Sequence, residues 1–238
     1  MDLQSSLKKF RDDAVSDKLI ARALDAAESR RFVDDTGRED TIGDIGISID
    51  QAALIHNLVR ELGAVTTVET GFGTGLSALV CVAAKHDFPL SQHISIDAFG
   101  LDEGRGLILE SFLAENYSAS FKRLKERSEF ALPPLADALR GQVKLSLIDG
   151  SHLFEKALLD FVYFDEMCAD DGCIILDDAG APAMETIVSF VESNRSNYAV
   201  DQSVPNTAVL WKKPGGDTRS WCHFRPFKVP QRIDWQYG

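Results

Sequence analysis

The sequence predicts an α/β fold: a doubly wound, mostly parallel sheet of seven strands with an antiparallel edge hairpin, preceded by N-terminal helices. Three observations carry this. Short β-branched runs alternate with helical patterns through five units, the pattern of a parallel sheet covered on both faces. A glycine-rich turn, Gly71-Phe72-Gly73-Thr74-Gly75, lies between the first of these strands and the next helix. Later strands end in acids, at Asp97, Asp149 and Asp177-Asp178.

The elements follow in order. Residues 1–35 carry helical periodicity, with Leu7, Phe10 and Ala14, then Ile20, Ala23, Leu24 and Ala27, on apolar faces. The polar stretch 34–40 reads as a loop. Ser48 or Asp50 can cap a helix carrying Leu54, Ile55, Leu58 and Leu62, which Gly63 ends. Residues 64–69 are a buried strand, 76–85 a helix, 91–97 a second strand and 105–116 a helix. A weaker strand near 119–124 precedes a helix over 128–140, irregular at its start near Pro133-Pro134. Residues 143–148 are a fourth strand, 154–169 a helix, 173–176 a fifth strand and 184–193 a helix. Residues 198–200 and 207–212 lack a full helix between them, hence the edge hairpin. The tail from Pro214, with Trp221, Phe224, Phe227 and Trp235, is aromatic without periodicity and is expected to pack on the domain or a partner subunit. The division is 1–45 as a helical cap or dimer segment, 46–213 as the main Rossmann-like domain, and 214–238 as the tail.

Composition argues against several classes. With 238 residues, the chain suits one large domain. A net charge of −12 argues against nucleic acid, which requires a basic stripe. The short cluster over 122–127 reads as a solvated face. No apolar run approaches the roughly 18 residues of a membrane span, and the charged N-terminus lacks a secretory pattern. Cys81, Cys168, Cys173 and Cys222 have no CxxC spacing and read as reduced thiols of a cytoplasmic protein.

Glycines between strand and helix permit a tight turn and close approach of a ligand, whose anionic end can meet the free helix N–H groups. A nicotinamide dinucleotide site would carry GxGxxG; here the spacing is GxGxG, with Glu69 two residues before the first glycine. Glu69 could accept from a ligand ammonium group. Asp97, at the end of the following strand, is placed to accept from ribose hydroxyls. Asp149-Gly150-Ser151-His152 and Asp177-Asp178 then bring three carboxylates to one sheet edge. Such a group repels itself unless a cation sits among them, and oxygen-only ligands suit Mg²⁺ or a similar divalent ion. His152 is a base of suitable type to take a proton. His56, His86, His93 and His223 read as structural or surface residues.

The segments VETGFGTGLSALV, ISIDAF, LIDGSH and CIILDD together resemble the class I S-adenosylmethionine-dependent methyltransferases, over roughly residues 46–212. The resemblance implies that Glu69, Gly71, Phe72, Gly73, Thr74, Gly75 and Ser77 surround the methionine end of S-adenosylmethionine. It places Asp97 and Ala98 at the ribose, Ser128 near the adenine, and Asp149 beside the cofactor. The run from Ile148 to Asp178 is similar to that of small-molecule O-methyltransferases of the macrolide-sugar and catechol types, grouped as methyltransferase family 24. That likeness implies Mg²⁺ on Asp149, Asp177 and Asp178, His152 as base with Asp149 beside it, a small-molecule acceptor and a homodimer. Asp177-Asp178 stands where the family often has Glu-Asp or Asp-Asn. The catechol-type lysine is absent, although Lys156 lies one turn from His152. The rival readings are a metal-independent N- or C-methyltransferase, a cofactor-binding regulatory protein without turnover, and an NAD-dependent oxidoreductase, which the glycine spacing disfavours.

Overall fold

The computed structural model describes residues 3–98 and 106–231. Arg105, the expected start of the helix over 105–116, and Trp235 of the tail lie outside them. Helices α1 (Leu3–Ser16) and α2 (Lys18–Ser29) come first, and Asp17 caps α2 by accepting from Leu19 N at 2.9 Å and Ile20 N at 3.0 Å. The helical periodicity expected through residue 35 ends with α2: Arg31–Val33 is a strand, β1, which pairs antiparallel with β2 (Glu39–Thr41), and the expected loop supplies the turn between them. The physical reason is Asp34: its Oδ1 accepts from Thr36 N and Arg38 N at 2.8 and 2.9 Å, closing the turn. The Arg30 guanidinium then donates to Ile47 O at 2.6 Å and Gly46 O at 2.7 Å, pinning the segment that carries Ile45.

Ser48 caps α3 (Ile49–Glu61) in a capping box with Gln51. There follow β3 (Thr66–Thr70), α4 (Leu76–Lys85), β4 (Gln92–Ile96), α5 (Leu107–Asn116) and β5 (Phe121–Leu124). Next are α6 (Ser128–Ala138), β6 (Val143–Ile148), α7 (Phe154–Met167) and β7 (Cys168–Leu176). The chain closes with α8 (Pro182–Asn194), β8 (Tyr198–Asp201) and β9 (Ala208–Lys212). Helix α6 runs through Pro133 and Pro134 without the irregular start expected of them. Strand β7 begins at Cys168, five residues earlier than expected, because α7 passes into it directly.

The seven-stranded sheet has the order β5-β4-β3-β6-β7-β9-β8, its strands running parallel except β9, which pairs antiparallel with both β7 and β8. Its strand order reverses between β3 and β6, the place where open α/β sheets bind ligands. One apolar cluster fills the face under α1 to α4; a second fills the face under α6 to α8. Alternation along β3 sends Thr67 and Glu69 to the first face and Val68 to the second. Helices α1 and α2 share the first cluster through Phe10, Leu19, Ile20 and Ala23. The tail lies along α8: Asn194 and Arg225 exchange bonds of 2.9 and 2.7 Å, and the Phe190 and Phe227 rings meet edge-on at 5.6 Å. No helix among the described residues is long and apolar enough to cross a membrane.

Candidate active site

The glycine loop leaves β3 where the backbone is held from both sides. Gly71 N donates to Ile96 O at 2.8 Å, and Asp149 N donates to Thr70 O at 2.9 Å. Gly71 has φ +88°, and a Cβ there would lie 2.0 Å from Asp149 O. Asp97 Oδ2 accepts from Phe72 N at 3.0 Å and Gly73 N at 3.2 Å, so the acid at the end of β4 also shapes the loop. The Arg123 guanidinium lies 4.2 Å over the Phe72 ring, which packs inward towards Phe121.

Above this edge opens a cavity of about 550 Å³, a size that suits a cofactor or drug-sized ligand. Gly71, Gly73, Asp97, Ala98, Ser128 and Asp149 line it, bringing together six of the residues expected at the cofactor. Glu69, Phe72, Thr74, Gly75 and Ser77 do not line it. Thr74 and Ser77 are buried in the loop and first turn of α4, and Gly75 is packed against Phe72 and Leu109.

Glu69 departs most from expectation. Its carboxyl group is wholly buried on the α4 face of the sheet, with Oε1 3.2 Å from His93 Nε2. A directed chain leads there. Lys85 Nζ donates to Thr67 Oγ1 at 2.5 Å and to Gln92 O at 2.7 Å. The Thr67 hydroxyl, accepting from a donor-only group, gives its own hydrogen to His93 Nδ1 at 2.8 Å. The ring proton is thereby placed on Nε2, facing Glu69. Burial pushes Lys85 down to about 7 and lowers His93, whose neighbour Glu69 acts in the opposite sense.

The acid–histidine group is only partly assembled. Asp149 is half-buried, and its pKa is raised well above the carboxylate range by desolvation, by the charge of Asp177 and by a hydrogen bond with Asp177. Asp177 Oδ1 also accepts from Gln51 Nε2, whose second bond goes to Thr207 Oγ1 at 2.9 Å. Asp178 turns elsewhere. Its backbone is left-handed, at φ +49°. Its Oδ1 accepts from Asn206 Nδ2 at 2.5 Å, and its Oδ2 lies 3.3 Å from His152 Nδ1. Among the described residues, no three His, Cys, Asp or Glu side chains are grouped to hold a metal ion. The expected trio of Asp149, Asp177 and Asp178 is therefore a pair in this arrangement, with Asp178 diverted to His152. His152 sits between two cavity-lining residues, Ser151 and Leu153, and its Nε2 is buried without a partner.

Sequence reasoning missed Gln51, Asn206 and Asp160. Gln51 was visible only as the third residue of a helix, and its reach to Asp177 spans 126 positions. Asp160 did leave a signal. On α7 the buried positions are Ala157, Asp160, Phe161, Phe164 and Met167, so an acid occupies an apolar register.

Residues 68–179 match the family model described as a methyltransferase domain. No curated protein matches the chain in sequence. Solved structures share the fold. The O-methyltransferase TomG from Streptomyces achromogenes, involved in tomaymycin synthesis and in complex with S-adenosylmethionine, aligns at TM-score 0.60 and 17% identity over 84% of this chain and 91% of its own. A Podospora anserina methyltransferase bound to S-adenosylhomocysteine aligns at TM-score 0.58 and 13% identity, covering 82% and 88%. An O-methyltransferase from Bacillus cereus in complex with S-adenosylhomocysteine gives 0.55 and 13%, covering 88% and 91%.

Proposed function

We propose that this chain, whose residues 68–179 match a methyltransferase domain model, is a class I S-adenosylmethionine-dependent methyltransferase that transfers the methyl group to a hydroxyl of a small molecule, with His152 as general base. The observation that carries the reading is the pairing of His152 Nδ1 with Asp178 Oδ2 at 3.3 Å, beside the cavity wall. An acid on Nδ1 fixes the tautomer and leaves the Nε2 lone pair for the acceptor. S-adenosylmethionine supplies a methyl group on a positively charged sulfur. With that group bound, the acceptor oxygen would form the new O–C bond as the S–C bond breaks with its electron pair kept by sulfur, and His152 Nε2 would take the hydroxyl proton. The chain's main work is alignment, from which much of the rate of such a displacement comes. His152→Ala is expected to lower kcat by about 10²–10⁴ while S-adenosylhomocysteine affinity stays within about twofold. The assay is transfer of labelled methyl from S-adenosylmethionine to catechol, simple phenols and monosaccharides. Unchanged kcat removes His152 from the reaction.

Metal assistance is the second part of the proposal. Two half-buried carboxyl groups that share a hydrogen bond, with Asp149 pushed up by desolvation and by its acidic neighbours, fit a divalent cation in place of the shared proton. Asp149 and Asp177 would hold it, and it would lower the pKa of the acceptor hydroxyl. Calorimetry is expected to detect Mg²⁺ binding to the wild type and none to Asp149→Asn. Absence of binding to the wild type, with activity indifferent to chelator, gives the site to the metal-independent rival. The reading includes a cytoplasmic homodimer without nucleic-acid or membrane partners. The buried free thiols of Cys81, Cys168 and Cys173 support a reducing compartment, and the net charge of −12 supports the absence of nucleic acid.

A further inference from the structure

Asn206 has no role in the reading above, yet it bonds to three successive residues of the loop that follows β7. Its backbone O accepts from Ala179 N at 2.9 Å, its Oδ1 accepts from Gly180 N at 3.1 Å, and its Nδ2 donates to Asp178 Oδ1 at 2.5 Å. The last bond leaves Asp178 Oδ2 to His152 Nδ1, at 3.3 Å. The next residue, Thr207, reaches the other acid at one remove, because Gln51 Nε2 donates to both Thr207 Oγ1 and Asp177 Oδ1. Two neighbouring residues at the edge hairpin thus draw two neighbouring acids to different partners.

Turn chemistry explains the backbone of Asn206 but not its side chain. Thr207 N donates to Val204 O at 3.2 Å, and Pro205 followed by a left-handed residue, Asn206 at φ +56°, suits a type II turn. Glycine would serve that turn as well, and would keep the bond to Ala179 N. The side chain instead meets complementary groups at both ends, an N–H at its oxygen and a carboxylate at its NH₂. We propose that Asn206 is a positioning residue for His152, holding Asp178 so that the ring keeps its proton on Nδ1 and its lone pair on Nε2. A carboxylate only accepts, so an Oδ2 fixed beside Nδ1 selects that tautomer, whereas an Asp178 free to turn away does not. This inference rests on His152 as general base and deepens that reading.

The test is ¹⁵N-resolved NMR of the histidine rings at about pH 8, above the ordinary histidine range, with His152→Ala to assign the signals. Wild-type His152 is expected in the Nδ1–H form. Asn206→Asp keeps the size, the tolerance of a left-handed backbone and the acceptor for Gly180, but sets a second carboxylate against Asp178. Asn206→Gly keeps the turn and removes the side chain. In both variants the Nδ1–H preference is expected to be lost. In the labelled-methyl assay kcat is expected to fall by about 10–100-fold, with KM for S-adenosylmethionine within about twofold. An Nε2–H ring in the wild type overturns the inference, and that measurement needs no variant to fold. An Nδ1–H ring that persists in the folded variants also overturns it and leaves Asn206 to the turn. A tautomer that shifts while kcat is unchanged upholds the hold of Asn206 on the ring and removes His152 from the reaction.

Discussion

Gly71→Ala is expected to abolish S-adenosylhomocysteine binding and to destabilise the fold by roughly 4–5 kcal/mol, at the extreme of single substitutions. Two effects add. At φ +88° an L-residue is strained by about 1–2 kcal/mol. The new Cβ would also lie 2.0 Å from Asp149 O and 2.9 Å from Gly150 Cα, which are backbone atoms of the adjacent strand end and cannot rotate away. Relief requires β3 and β6 to part at the place where the cavity is formed. Gly73 is the control, since at φ +51° its Cβ would meet nothing within 4 Å. Gly73→Ala is expected to cost only about 1 kcal/mol. Urea melts of the two variants check the ranking. Equal, small losses would mean that the close approach of the Gly71 and Asp149 backbones is not maintained in solution.

His93→Ala is expected to cost about 3–5 kcal/mol, because it strips a buried partner from Glu69 and breaks the chain from Lys85 through Thr67. Glu69→Gln keeps an acceptor for His93 Nε2 and is expected to cost about 1 kcal/mol. The double variant should lose less than the sum, which a double-mutant cycle measures. The pH dependence has a definite sign. Burial lowers the His93 pKa from its ordinary 6.5. As pH falls below 6.5 the unfolded wild-type chain takes up a proton that folded His93 refuses, so the contribution of this residue fades. The stability gap between wild type and His93→Ala is expected to be smaller at about pH 5.5 than at about pH 7.5. A gap that widens on acidification would contradict a neutral, buried His93.

The site was legible where function and backbone geometry coincide. The GxGxG spacing located a loop whose Gly71 has no room for a Cβ, and the acids ending strands located the cavity edge. It was illegible where one side chain chooses among several partners. Glu69 satisfies the loop motif, yet β-strand alternation turns it to the α4 face, where His93 stands in the neighbouring strand. Asp178 satisfies the acidic pair, yet a left-handed backbone and Asn206, 28 positions away, direct it to His152. The hairpin at 31–41 is hidden in the sequence, where 31–33 falls at the end of the helical periodicity and 34–40 reads as a loop, because strands of three residues carry too little periodicity to register.

By itself the sequence determined the α/β class, the succession of the elements from α3 onward, the antiparallel edge and the strand ends that gather the cavity-lining residues. These follow from periodicity, turn chemistry and the handed packing of parallel strands, all of which act over short stretches of chain. Only the tertiary structure decided which of those residues meet. It placed Asp160 in the cavity wall, Glu69 in the core, Gln51 on Asp177 and Asp178 on His152. Such pairings depend on distances between residues far apart in the chain and on which buried polar group finds a partner first. A buried group with one open valence is costly enough to dictate those choices, and no local pattern records them.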